Sequence, residues 1–159
     1  MLGPVIERAH KVAVIVAGYV PLADIAEMRL ECLRRLESPA ELHLLNELIS
    51  ASVQLVCWLS CSSVEIEPQH EVAQLGYRLD FLVSVGGRRI AVEADGFAYH
   101  SSQEAFQRDR ERDRGLLAMG IQTFRFTARE IMTGQGVREK LFAILAELAA
   151  PSRPATYCP

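Results

Sequence analysis

The chain has 159 residues, a formal net charge of −3 and 50% hydrophobic residues, which suits one compact domain with a real core and a modest extension. With 23% charged residues and no low-complexity tract, intrinsic disorder and collagen-like or mucin-like architectures are excluded for most of it. The acidic balance also argues against a surface coated in basic residues for indiscriminate nucleic-acid binding, while leaving room for a local basic face.

The apolar run from Val12 to Val20 is about half the length that a bilayer span needs. Glu7 stands where a signal peptide carries basic residues, so a cytoplasmic location is expected. Residues 4–20 form an apolar segment of unassigned type, ended by Pro21. From Leu22 the positions Ile25, Ala26, Met28, Cys32, Leu33 and Leu36 recur at three and four residues, one face of a helix with Arg29, Arg34 and Arg35 left for solvent. Residues 1–37 therefore read as a mainly helical extension, whose helix either packs on the core or serves a protein partner or self-association.

A second helix starts at Ser38-Pro39-Ala40-Glu41. Ser38 is a good N-cap, Pro39 suits the first helical position, and Glu41 completes a capping box. Leu42, Leu45, Leu48 and Ile49 supply its apolar face. Strands follow at Val64–Val72, Tyr77–Val85 and Arg88–Asp95, the last two joined by Gly86-Gly87, a strong hairpin signal. Ser101–Met119 reads as a polar helix ended by Gly120, Ile121–Phe126 as a strand and Val137–Ala149 as a closing helix. This order predicts an α/β (α+β) domain over residues 38–150 with one mixed sheet, and a tail over residues 151–159 containing Pro151, Pro154 and Pro159.

Cys32, Cys57, Cys61 and Cys158 contain no CxxC pair, and His10, His43, His70 and His100 show no ligand spacing with them, so no zinc site is indicated. Cys57 and Cys61 flank Trp58 in an apolar stretch, and buried, reduced thiols are expected there.

The hairpin fixes its own register. With Gly86 and Gly87 as the turn, Val83 faces Ile90, Phe81 faces Val92 and Leu79 faces Ala94 on a wholly apolar side. The other side then pairs Ser84 with Arg89, Leu82 with Ala91, Asp80 with Glu93 and Arg78 with Asp95. Opposed residues have β-carbons about 4.5–5.5 Å apart, and like charges there destabilise the sheet. Asp80 with Glu93 therefore calls for a cation, a shared proton or heavy solvation. With Asp95 pointing the same way, three oxygen-bearing groups suit Mg²⁺. The alternative is that Asp95 pairs with Arg78 and that Asp80 is compensated by another arginine.

Tyr77-Arg78-Leu79-Asp80-Phe81, then Ile90-Ala91-Val92-Glu93-Ala94-Asp95-Gly96 with His100 following, then the Arg- and Asp-rich helix from Phe106 to Gly120, then Thr123-Phe124-Arg125-Phe126-Thr127, resemble the PD-(D/E)XK nuclease superfamily. Within it, the chain is similar to the very-short-patch-repair endonucleases and their bacterial relatives, over about residues 38–149. The resemblance implies a restriction-endonuclease-like core, with helices on both sides of the sheet. In it Asp80 and Glu93 match metal-binding acids and Glu41 is a further acid at the site. Asp95 stands where the superfamily carries lysine, which removes an ammonium that would orient water or stabilise developing charge. His100 is then the residue suited to activating water or protonating the leaving oxygen.

Most helical charge runs are a solvated face, but residues 105–129 hold six arginines against three acids. Arg108, Arg112 and Arg125 therefore form a candidate phosphate-backbone face, since guanidinium forks bind phosphate oxygens bidentately. Arg112 and Asp113 also resemble family positions. The expectation is an Mg²⁺-dependent DNA endonuclease or nickase, Mn²⁺ substituting, with RNA also open as substrate. The competing reading is a nuclease-fold module without catalysis that binds nucleic acid or a protein partner.

Overall fold

The structure, a computed structural model, describes residues 13–16, 30, 34–59, 63–95, 103–134 and 136–151. Its strands are β1 (Ala13–Val16), β2 (Ser63–Val72), β3 (Tyr77–Val85), β4 (Arg88–Asp95) and β5 (Ile121–Thr127). Its named helices are α1 (Pro39–Leu59), α2 (Gln103–Ala118), α3 (Ala128–Thr133) and α4 (Val137–Ala149). The five strands form one sheet in sequence order. All neighbours are antiparallel except β4 and β5, which are parallel. A parallel pair needs a crossover, and α2 supplies it.

The predicted strands and closing helix stand at or within a residue or two of their expected ends. The segment of unassigned type contributes β1, an edge strand paired with β2 from Ala13 opposite Ile66 to Val16 opposite Ser63. Of the helix expected over residues 22–36, Leu30, Arg34 and Arg35 are helical and Leu36 is not; the remainder lies outside the described residues. Helix α3 was not anticipated. Its signals were present: Thr127 and Glu130 form a reciprocal capping box, and Gly134 closes the helix in the left-handed conformation.

The sheet is covered on both faces. Leu44, Leu48 and Leu55 of α1 and Val137, Leu141 and Leu145 of α4 pack on Val64, Ile66, Phe81, Val83, Ile90, Val92 and Phe126. Leu116 of α2 packs on Val72, Leu79, Leu82, Ala91 and Ile121 across the sheet. By length and composition alone α1 could cross a bilayer, yet its leucines at spacings of three and four are the floor of this core. Arg138 of α4 holds Glu47 of α1 through Nε at 2.7 Å. At the far end, Arg88 donates to the carbonyl of Glu147 at 3.0 Å and to that of Ala150, where a cation complements the terminal carbonyls of α4.

Two expectations are corrected. Cys57 is exposed rather than buried, and so is its neighbour Trp58 at 69%. Both lie in the last turn of α1, Cys57 one turn beyond exposed Val53 on the side opposite the buried face, while Leu55 and Val56 stay buried, and Trp58 makes an edge-on contact with the Phe142 ring at 6.1 Å. Leu79 does not share a side with Phe81, but joins the cluster under α2. The cause lies next to it: Gln69 adopts φ 53°, and the β2–β3 ladder passes over Gln69 and Asp80 before resuming at His70 opposite Leu79. The ends of both strands turn over together, because Val72 also changes side relative to Ile66.

The Gly86-Gly87 turn has φ of 57° and 80°, the left-handed pair that a two-residue hairpin demands. Gly87→Ala is expected to cost about 1–2 kcal/mol, and Gly87→Asn clearly less, since asparagine tolerates this region. Urea unfolding midpoints of the three proteins check this.

Candidate active site

β3 and β4 pair as predicted from Val85–Arg88 to Phe81–Val92, and there the ladder stops, so the expected pairs Asp80–Glu93, Leu79–Ala94 and Arg78–Asp95 are not formed. Beyond that point β3 continues with β2, while β4 continues with β5 through Glu93–Arg125, Ala94–Phe126 and Asp95–Thr127. The two strands part like the arms of a Y. Asp80 sits in the fork and accepts the Ala94 N–H on Oδ2 at 2.8 Å. A side chain thus satisfies a backbone donor that no longer meets its ladder partner.

Glu93 is 6% exposed and faces α2. Its Oε1 accepts from Arg112 Nη2, and its Oε2 from Arg125 Nε at 3.2 Å. Arg125 also grips Asp113 with both Nη atoms, at 3.0 and 2.6 Å, and this fork holds its pKa well above the usual arginine value. Arg112 extends over the Tyr77 ring, 5.6 Å from its centroid, and makes a long contact of 3.4 Å with the Arg78 carbonyl. Its Nε–H is buried with no protein acceptor, an arrangement that ordinarily costs about 1–3 kcal/mol.

Glu41 enters from the other side of the sheet. It completes the expected cap, accepting from Ser38 Oγ at 2.8 Å while its own N–H donates to Ser38 Oγ at 3.2 Å. Its Oε2 accepts from the Glu37 N–H at 2.9 Å and from Gln69 Nε2 at 2.8 Å. The unusual backbone at Gln69 therefore serves the site, by carrying an amide donor to Glu41. Gln69 was not anticipated; the signal was Pro68 within a strand, where proline marks an interruption. The capping role of Glu41 and its place beside Asp80 coexist.

Burial pushes the Asp80 carboxyl up to about 6. The Ala94 N–H and Arg112 pull it down, while the charges of Glu41 and Glu93 push it further up. The remedy for opposed carboxylates is thus distributed between arginines on Glu93 and a proton held more tightly on Asp80. Asp95 is exposed at the end of β4, and the ion pair of Arg78 is with Glu37 at 2.7 Å rather than with Asp95. Arg108 is exposed on α2, and His100 lies outside the described residues.

Among the described residues, no three acidic, histidine or cysteine side chains lie close enough together to hold a metal ion as they stand. The chemistry of the fork nevertheless fits a hard divalent cation. Glu41, Asp80 and Glu93 bring carboxylates together at the fork, and the Asp80 pKa is raised chiefly by burial and further by the charges of Glu41 and Glu93, the setting in which a carboxylate accepts a cation. A cleft of about 260 Å³ on the sheet, lined by Glu65, Ile66, Glu67, His70, Leu82, Ser84 and Arg89, contains neither Asp80 nor Glu93.

A mixed sheet sandwiched by helices, with acids where its central strands part, defines a restriction-endonuclease-like fold. The chain belongs to the restriction-endonuclease-like family REase_MTES_1575, whose pattern matches residues 54–145. No curated protein and no solved structure matches it. The matched stretch contains Asp80, Glu93, Asp95, His100, Arg112 and Arg125, and begins after Glu41.

The fold favours the protonated form of Asp80, so this group's contribution to stability is complete below pH 4 and lost as pH rises through 6. In EDTA at pH 7, Asp80→Asn is expected to be more stable than wild type by about 1–2 kcal/mol, allowing for solvent screening of a half-buried group. The difference vanishes near pH 4; paired urea titrations at the two pH values check it.

Proposed function

We propose that this protein is a metal-dependent DNA endonuclease or nickase, acting in the cytoplasm by hydrolysis of phosphodiester bonds. The observation that carries this reading is the fork, where Asp80 and Glu93 come together at the parting of β3 and β4 in a chain of the restriction-endonuclease-like family. Asp80 and Glu93 are the residues to hold Mg²⁺, or Mn²⁺ in its place, and Glu41 adds negative potential behind them. When bound, the ion supplies polarisation of the phosphate and a lowered water pKa.

The protein's own groups do the rest. Arg108 offers a solvent-facing guanidinium to the DNA backbone, and Arg112 and Arg125 bring positive charge to the fork itself. His100 is the residue for proton transfer, and Asp95, exposed at the end of β4, completes the outer site or holds a second ion. The similarity to very-short-patch-repair endonucleases favours a role in DNA repair, modification or mobile-element processing.

A second reading has its own support. Both Glu93 oxygens are engaged by guanidiniums and aspartate stands at the lysine position, as in a module that binds nucleic acid or a partner without cutting.

Purified protein is incubated with supercoiled plasmid in Mg²⁺, Mn²⁺ or EDTA, beside Asp80→Ala and Glu93→Gln. Metal-dependent nicking or linearisation that falls below detection in both variants is expected. Absence of cleavage by wild type, with no Mn²⁺ binding by calorimetry at millimolar ion, selects the non-catalytic reading.

A further inference from the structure

Two guanidiniums share Glu93, and they are held very differently. Arg125 is fixed at both ends, its Nη atoms on Asp113 and its Nε on Glu93. It clamps β5 to α2 and β4, and leaving would expose Asp113 and Glu93 together. Arg112 has its one strong bond on Glu93 Oε1, a 3.4 Å contact to the Arg78 carbonyl and a buried Nε–H with no protein acceptor. Its guanidinium already lies over the face of Tyr77, which offers a cation a second resting place once Glu93 is given up.

We propose that Arg112 is an exchangeable internal counter-ion, which occupies Glu93 Oε1 in the resting protein, yields it to a divalent cation, and then presents its fork to a substrate phosphate. The inference rests on the metal-dependent reading of Asp80 and Glu93. Replacing a monovalent guanidinium with a divalent ion puts a further positive charge between Glu93 and Asp80, whose carboxyl the charges of Glu41 and Glu93 already oppose, while freeing a phosphate-binding group on the adjacent helix. Metal loading and phosphate capture become one coupled event, with Arg112 the group that passes from Glu93 to the phosphate.

The test is calorimetric titration of Mn²⁺ into wild type, Arg112→Ala and Arg112→Gln, with folding of each checked by circular dichroism. Removal of a competing charge-assisted hydrogen bond is expected to tighten Mn²⁺ binding about ten-fold, although plasmid cleavage falls. Unchanged or weaker Mn²⁺ affinity in both variants, with wild type binding the ion, overturns the exchange and leaves the metal reading intact. Failure of wild type and variants alike to bind Mn²⁺ overturns both. A measurement on wild type serves if the variants do not fold: Mg²⁺ should shift the ¹⁵N signal of Arg112 Nε and quicken its hydrogen exchange while Arg125 Nε stays put. An unmoved Arg112 signal with bound Mg²⁺ overturns the exchange.

Discussion

One hydrogen bond sets the geometry on which the rest depends, the donation of the Ala94 N–H to the Asp80 carboxylate. In an unbroken hairpin that donor would be spent within the ladder between β3 and β4. A side chain takes it instead, and past Phe81–Val92 β4 keeps its pairing with β5 and β3 its pairing with β2 while the two strands part. The opening so created is where the acids gather. The same residue thus terminates the ladder and supplies the site, and the fork needs no loop insertion to form.

Electrostatics then decides what surrounds the fork. Asp80 is half-buried beside two other carboxylates, and its pKa of about 6 reports a charge the fold does not fully accommodate. Glu93 is more deeply buried, and it is tolerated because two guanidiniums meet it. Glu41 is held by Ser38, the Glu37 amide and Gln69, so its position is settled by the start of α1 before its charge acts on Asp80. Such concentrated like charge opposes folding, and functional sites are where proteins retain it.

Much of this was legible in local pattern. The Gly86-Gly87 turn fixed the pairing from Val85–Arg88 to Phe81–Val92, and alternation along both strands put Asp80 and Glu93 at one end of it. The capping box at Ser38 placed Glu41 three residues into a helix, and Gly120 marked the end of α2. The interruption at Gln69 was not legible beyond the hint of Pro68, since a positive φ at a glutamine is imposed by its surroundings. For the same reason Leu79 was assigned to the wrong side. Cys57 and Trp58 belong to an apolar stretch, but which part of the helix the core covers is decided by packing, and they are exposed while Leu55 and Val56 are buried.

The sequence by itself determined the elements, the hairpin register as far as Phe81–Val92 and the conjunction of Asp80 and Glu93 just beyond it, because these follow from short-range turn chemistry and periods of two and 3.6 residues. Only the tertiary structure decided how that conjunction is resolved. Arg112 and Arg125 lie 19 and 32 positions from Glu93 in the chain, and a charge run on a helix reads equally as a solvated face or as a set of counter-ions. The crossover of α2 onto the sheet chooses between them, by bringing Arg112 and Asp113 over the strand that carries Glu93 and leaving Arg108 in solvent. Charge compensation is a property of distance in space, and local sequence pattern does not fix it.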